Sequence, residues 1–183
     1  MVVVADVTIR RTTEDDWRHI RELRLEMLED TPHAFLETLA TALKHGEEEW
    51  RRRGRRGQSA TGTSVAAIDG TGRWVGTMGG LLKTGTDLPT LYGVYVSPSH
   101  RGREAGVTDA LLDEVEAWAA MHAPALRLTV HEDNRRAQEY YSRRGYRFTG
   151  RTEPYVLDPD QRELEMTRIL AAGPGDEPTT GTL

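Results

Sequence analysis

With 183 residues, the chain is long enough for one domain with a substantial buried core. A net charge of -5 argues against a nucleic-acid binder, whose surface must answer phosphate with Lys and Arg, and the absence of Cys excludes disulfides, thiolate metal sites and a cysteine nucleophile. No apolar run approaches the ~20 residues of a membrane helix, and residues 1–4 lack the length and basic leader of a signal peptide, which points to a soluble cytoplasmic protein.

Residues 3–9 are rich in β-branched side chains and predict a strand. Thr12 or Thr13, followed by Glu14, Asp15 and Asp16, marks a helix start with acids at its positive end. Trp17, Ile20, Leu23 and Met27 recur at spacings of three and four, so a helix over about 14–29 buries one face, and Thr31 and Pro32 end it. Phe35, Leu36, Leu39 and Leu43 predict a second helical stretch that breaks near Gly46 and resumes over 47–53. The basic run 51–56 reads as a solvated helix end whose field Glu47, Glu48 and Glu49 largely neutralise.

Residues 64–68 and 74–78 predict a hairpin turning at Asp69, Gly70, Thr71 and Gly72. The central strand, 91–96, contains Gly93, and a glycine inside a strand marks a bulge or a close backbone approach. A helix over 107–122 carries Leu111, Val115, Trp118 and His122 on one stripe. A buried strand at 126–130 and a helix at 134–144, closed by Gly145, follow. Strands at 146–151 and 164–169 flank an excursion at 154–162, and from Ala171 the Gly, Pro, Thr and acid composition predicts disorder. The chain therefore divides into an N-terminal extension, 1–5, one domain, 6–171, and a disordered tail, 172–183.

Two patterns ask for the same ligand. Asn134, Ala137, Tyr141, Gly145 and Tyr146 form a spaced string that would arise by chance with a probability on the order of one in ten thousand, and Asn134 is the only asparagine in the chain. Asn134, Ala137 and Tyr141 lie three and four apart and share one helix face. Upstream, the turn of Arg101, Gly102, Arg103, Glu104, Ala105, Gly106, Val107 and Thr108 joins the central strand to a helix N-terminus. Unpaired amides there bind anions, glycines let phosphates come close, and Arg101 or Arg103 would add a charge-assisted contact. With these residues the sequence resembles the GNAT family of acetyl-CoA-dependent N-acetyltransferases. The family's turn signature is met by Arg103, Gly106 and Thr108, with Thr in the last small position. About two residues more than the family usually has separate Pro98 from the helix, so either the turn is enlarged or the helix start is shifted.

The resemblance implies an α/β GNAT fold: a mixed central sheet of about six or seven strands, flanked by about four helices and splayed between the fourth and fifth strands. It implies acetyl-CoA as co-substrate, with the pantetheine arm pairing to the backbone of Val94 and Val96 in the splay. A backbone amide near Val94 or Tyr95 would polarise the thioester carbonyl, Asn134 would hydrogen-bond the arm, Ala137 would leave it room, and Tyr141 would protonate the departing sulfur. A phenol with pKa near ~10 can protonate a thiolate whose thiol pKa is ~8.5 at an uphill cost of about 2 kcal/mol. The helical pair before residue 53 would cover the acceptor.

That acceptor must lose a proton first, and Asp87, Tyr92, His131 and Glu132 are the candidate bases. The six His lack metal spacing, so no metal is expected, and Ser97 and Ser99 lack a nucleophile-elbow setting. The function expected is direct acetyl transfer to an amine on a small molecule or peptide, with no nucleic-acid or membrane partner and a homodimer left open. A non-catalytic acyl-CoA-binding regulatory module and a dinucleotide-binding domain are the alternatives.

Overall fold

A computed structural model of the chain describes residues 1–4, 6–102 and 104–170, so the predicted tail lies outside the described residues. Eight strands follow in chain order: β1 Val2–Val4, β2 Val7–Arg11, β3 Gly62–Ile68, β4 Trp74–Leu81, β5 Thr90–Val96, β6 Ala125–His131, β7 Arg147–Tyr155 and β8 Asp158–Ile169. They form one sheet in the order β1-β2-β3-β4-β5-β6-β8-β7. Neighbours pair antiparallel except β5 and β6, which run parallel. A dinucleotide-binding domain needs a mostly parallel, doubly wound sheet, so that alternative is overturned by this topology.

The eight strands exceed the expected six or seven for a local reason. Asp6 takes φ 61, a left-handed turn that Asp tolerates better than most residues, and the chain reverses there. Residues 2–4 thus fold back on β2 as a strand of the sheet, where the sequence suggested a separate extension and a single strand over 3–9. The extra strand changes only the numbering of the splay, which lies where it was expected, between the strands at 91–96 and 126–130, now β5 and β6. The excursion expected over 154–162 is instead the tip of a long hairpin, with β7 and β8 reversing around exposed Val156 and Leu157.

Among the described residues five helices flank the sheet: α1 Trp17–Asp30, α2 Leu39–Ala42, α3 Glu47–Arg55, α4 Val107–Ala120 and α5 Arg135–Arg143. The helical stretch expected from Phe35 to Leu43 shrinks to the single turn of α2. Phe35 is buried while Leu36 and Leu43 stay exposed, and Glu37 is drawn into ion pairs with Arg24 and Arg53. The segment follows that anchor rather than a helical period. Two cores result, one on each face of the sheet. Leu111, Leu112, Val115 and Trp118 of α4 pack with Ile9, Val75, Leu126 and Leu128 on one face. Leu23, Met27 and Trp50, from α1 and α3, pack with Ala66, Trp74 and Tyr95 on the other. The close seating of α3 depends on Gly54, where a Cβ would lie 2.2 Å from the Thr13 carbonyl oxygen, and on the Thr12 hydroxyl, which donates to the Gly54 carbonyl at 2.9 Å.

Candidate active site

The site begins as a fault in the sheet. β5 and β6 meet at one register pair, Thr90 with Arg127, reinforced by Arg127 Nε donating to Thr90 Oγ1 at 3.0 Å. Beyond it no ladder pair joins the two strands among the described residues, so the seam opens toward Val94 and Val96 as the sequence suggested. β5 bends in the same place. Its pairing with β4 passes from Tyr92–Gly79 to Tyr95–Thr77, setting Gly93 and Val94 against Met78 alone. Gly93 takes φ 62, which identifies the expected bulge. The extra residue changes the alternation: Val94 and Val96 join the α4 core, while Tyr95 turns to the α1 face. There Glu26 fixes it, accepting hydrogen bonds from Tyr95 Oη at 3.1 Å and Ser97 Oγ at 2.5 Å.

After β5 the chain makes a 3-10 turn over Pro98–His100 before α4 begins at Val107, so the turn is enlarged and the helix start is not shifted. Gly102 (φ 115) and Gly106 (φ 62) use conformations that side-chain-bearing residues avoid, and Gly106 caps α4 without a side chain. The first amides of α4 therefore have no side-chain acceptor. Glu104 and Gly102 are exposed, Ala105, Gly106 and Thr108 are half-buried, and Val107 is buried. Arg101 already has partners within the protein: its Nε donates to the Val96 carbonyl at 2.6 Å and its guanidinium pairs with Asp30 of α1, so a phosphate would compete with Asp30 for it. Arg103 lies outside the described residues.

On α5, Asn134 is the N-cap, its Oδ1 accepting from the Ala137 amide at 3.1 Å. That leaves the side-chain NH₂ free of any described partner. Ala137 is half-buried and Tyr141 buried, in one apolar cluster with Val94 and Val96 of β5, Leu128 and Val130 of β6, and Ala105 of the turn. The helix, both edges of the seam and the turn thus contribute to one apolar core that includes this phenol. Tyr141 stands edge-on to Tyr140 and Tyr146, at 5.2 and 5.5 Å between ring centroids. Its hydroxyl makes no hydrogen bond to any described residue, and burial alone raises its pKa. The neighbours do the holding. Tyr140 Oη donates to Asp109 at 2.9 Å and Tyr146 Oη to Glu116 at 3.0 Å, while Arg144 and Arg168 reach Glu116 at 3.1 and 2.6 Å.

The opposite face holds a cavity of about 560 Å³ under α1 and α3. Its lining includes Gly93 of β5 and Thr129 of β6, so it reaches both lips of the seam from the side opposite Tyr141. Of the candidate bases, Tyr92 lines it, and burial raises the phenol pKa against the opposing charge of Arg56. His131 is held by Gln161 at 2.5 Å and by the Asp133 amide, Glu132 accepts from the Arg162 amide, and Asp87 is exposed on a loop. Sequence reasoning missed Glu153, Glu163 and Glu165, three carboxylates in the lining. Burial and then the charge of Glu153 raise the pKa of Glu163. The alternation Glu163-Leu164-Glu165-Met166 was a usable signal, since it sets both acids on one face of a strand. Across the cavity, burial works most strongly on Glu37 but is outweighed by hydrogen bonds from Arg53, His45 and Arg24, which bring its pKa down to about 2.

A family model described as Acetyltransferase (GNAT) family matches residues 17–146. Among solved structures, a GNAT-family acetyltransferase from Streptococcus pneumoniae aligns with a TM-score of 0.73 at 17% identity, over 90% of this chain and 99% of that one. The PaiA N-acetyltransferase of Thermoplasma acidophilum, solved in complex with coenzyme A, aligns with a TM-score of 0.69 at 17% identity, over 89% and 98%. The protein yncA from Salmonella typhimurium, solved with its cofactor acetyl-CoA, gives 0.72 at 16% identity, over 95% and 99%. At such identities the likeness speaks for the fold. A search of curated proteins finds no match.

Proposed function

Because the chain belongs to the GNAT family of acetyltransferases, we propose that it moves the acetyl group of acetyl-CoA directly to an amine held in the cavity under α1 and α3. The observation that carries this is the seam's two-sided access, with Tyr141 on one face and a cavity reaching Gly93 and Thr129 on the other. A thioester laid in such a seam has its sulfur toward the phenol and its carbonyl carbon toward the amine.

In this reading the uncapped amides of α4 and the glycine turn receive the pyrophosphate, an anion suited to a helix N-terminus. The uncovered edge of β5 pairs with the pantetheine amides. The free NH₂ of Asn134 donates to the arm while its oxygen caps α5, and Ala137 leaves the arm its width. An amide near Val94 or Tyr95 donates to the carbonyl oxygen as negative charge develops there. The amine lone pair forms the new N–C bond, the C–S electrons leave with sulfur and Tyr141 gives that sulfur its proton; the acylated nitrogen sheds its extra proton to solvent, from which the phenolate of Tyr141 is reprotonated. Burial keeps the phenol protonated throughout the working pH range, and the same dry surroundings raise the proton affinity of a thiolate left beside it.

The amine must be neutral when it attacks. A lysine-like ammonium is deprotonated in only about one molecule in 2,500 at pH 7, a deficit of roughly 4.6 kcal/mol, and the cavity's carboxylates are placed to relieve it. No observation favours a non-catalytic acyl-CoA-binding role over transfer. Thiol release from acetyl-CoA across an amine panel tests the proposal, with Tyr141→Phe as the decisive variant. The expected result is a loss of about 10² or more in kcat with unchanged stability, since the hydroxyl bonds to no described residue. Full activity in that variant would remove Tyr141 from the chemistry.

A further inference from the structure

The cavity's charges are sorted by wall. Helices α1 and α3 and the rim beyond β4 contribute Arg24, Arg52, Arg53, Arg56 and Lys83 against Glu37 and Glu49. Strands β6, β7 and β8 contribute Glu153, Glu163 and Glu165 against Arg127. Pairing inside each wall leaves a remainder. Glu37 and Glu49 engage Arg24, Arg52 and Arg53, but neither Arg56 nor Lys83 has an ion-pair partner among the described residues. Arg56 lies over the Tyr92 ring at 5.6 Å and hydrogen-bonds the Tyr92 hydroxyl, which uses part of a guanidinium that carries five donors.

On the strand wall, Arg127 approaches Glu165 at 3.8 Å and Thr149 Oγ1 donates to it at 2.8 Å. Glu153 and Glu163 face each other in the β7–β8 ladder; Glu163 accepts from Thr129 and has His131 opposite it on β6, and neither carboxylate is ion-paired to an Arg or Lys among the described residues. Like charges directly opposed across a ladder repel, and the raised pKa of Glu163 is one sign of it. A cation arriving from solution would relieve that repulsion.

We propose that the acceptor is a zwitterionic amine, its ammonium seated on Glu153 and Glu163 beside the seam and its anionic group taken by Arg56 and Lys83. This rests on the acetyl-transfer reading of the same site. A diamine would set its second cation against the arginine wall, and a plain monoamine would leave Arg56 and Lys83 unanswered. Carboxylate and phosphate share the chemistry that a guanidinium and an ammonium recognise, so both classes enter the test.

The experiment measures thiol release from acetyl-CoA by the full chain with four series of matched length: ω-amino acids, aminoalkyl phosphates, ω-amino acid methyl esters and α,ω-diamines. One of the two zwitterionic series should exceed the esters and diamines by about ten-fold or more in kcat/KM, the size of one well-placed charged hydrogen bond. The Arg56→Gln/Lys83→Gln double variant should bring the zwitterion-to-ester ratio close to one, with near-UV circular dichroism as the fold control. Equal turnover of esters or diamines, or an unchanged ratio in the double variant, overturns the inference. If no series releases thiol, the transfer reading itself fails. Calorimetric titration of the same compounds into protein saturated with CoA then decides the charge preference: ten-fold tighter zwitterion binding supports it, and equal binding overturns it.

Discussion

On the α4 side of the sheet, Tyr141 sits in an apolar cluster, and the charges nearest it are gathered behind it on Asp109, Glu116, Arg144 and Arg168. On the α1 side, the charges line the cavity itself, with Arg56, Lys83, Glu153 and Glu163 among its walls. The difference matches what the proposed transfer asks of its two ligands. A long thioester tail is held through backbone amides and a tight apolar slot, which any member of a family can share. An amine acceptor has to be told from other amines, and that discrimination falls to side chains. The first face should therefore fail through stability and geometry, the second through specificity and pH.

The largest expected effect is on the first face. Glu116 is 8% exposed and accepts from Tyr146, Arg144 and Arg168. Glu116→Ala strips the acceptor from the buried Tyr146 hydroxyl and from two partly exposed arginines and should cost about 3 kcal/mol of stability, read as a lower urea midpoint. Activity should fall with it, because that network holds α5 and the ring of Tyr146 against Tyr141. A loss below ~1 kcal/mol would mean the network is ornamental and the apolar cluster alone sets the phenol.

Gly93 sits between the faces and tests whether the seam depends on the bulge. Nothing lies within 4 Å of an added Cβ there, so space is not the obstacle; the φ of 62 is. Gly93→Val should cost about 1–2 kcal/mol through the left-handed conformation and raise the KM for acetyl-CoA as β5 straightens. Wild-type stability with an unchanged KM would show that the seam opens without the bulge.

Asn134 separates two roles carried by one side chain. Asn134→Ala loses the cap and should cost about 1 kcal/mol; Asn134→Asp keeps an acceptor for the Ala137 amide and should stay within ~0.5 kcal/mol of wild type. If the free NH₂ holds the pantetheine arm, both variants raise the KM for acetyl-CoA. A normal KM in Asn134→Asp would leave Asn134 a cap and nothing more.

The same contrast explains what the sequence disclosed. The α5 motif was legible because Asn134, Ala137 and Tyr141 lie within eight residues on one helix, where spacing alone fixes a shared face. Gly93 was legible as a bulge because glycine is anomalous in a strand. The acceptor wall was not, because Arg56, Glu153 and Glu163 come from three elements and meet only through the sheet order. The alternation around Glu163 and Glu165 tells that they share a face, not that the face borders a cavity. The helix expected through Phe35 and Leu43 failed for a related reason: Glu37 obeys distant arginines instead of its neighbours in the chain.

Glu37 also supplies the smallest and most specific effect, a pH signature for the second face. Its carboxylate accepts from Arg24 Nε at 2.9 Å, from Arg53 at 2.8 and 3.0 Å and from His45 Nε2 at 2.7 Å, and its pKa is brought down to about 2. A folded-state value below the unfolded ~4.3 means the stabilisation is fully present above that unfolded value and is lost as pH falls from there through about 2. With allowance for solvent screening, about 1 kcal/mol should have gone by pH 3. Other carboxylates titrate in the same range, so the readout is a difference: urea midpoints of wild type and Glu37→Gln at pH 6 and at pH 3. The gap between the two proteins should narrow at the lower pH, because protonating Glu37 makes the wild type resemble the variant. A gap that stays constant would show that the arginines hold this segment by packing rather than by charge, and the contrast between the two faces would lose its electrostatic half.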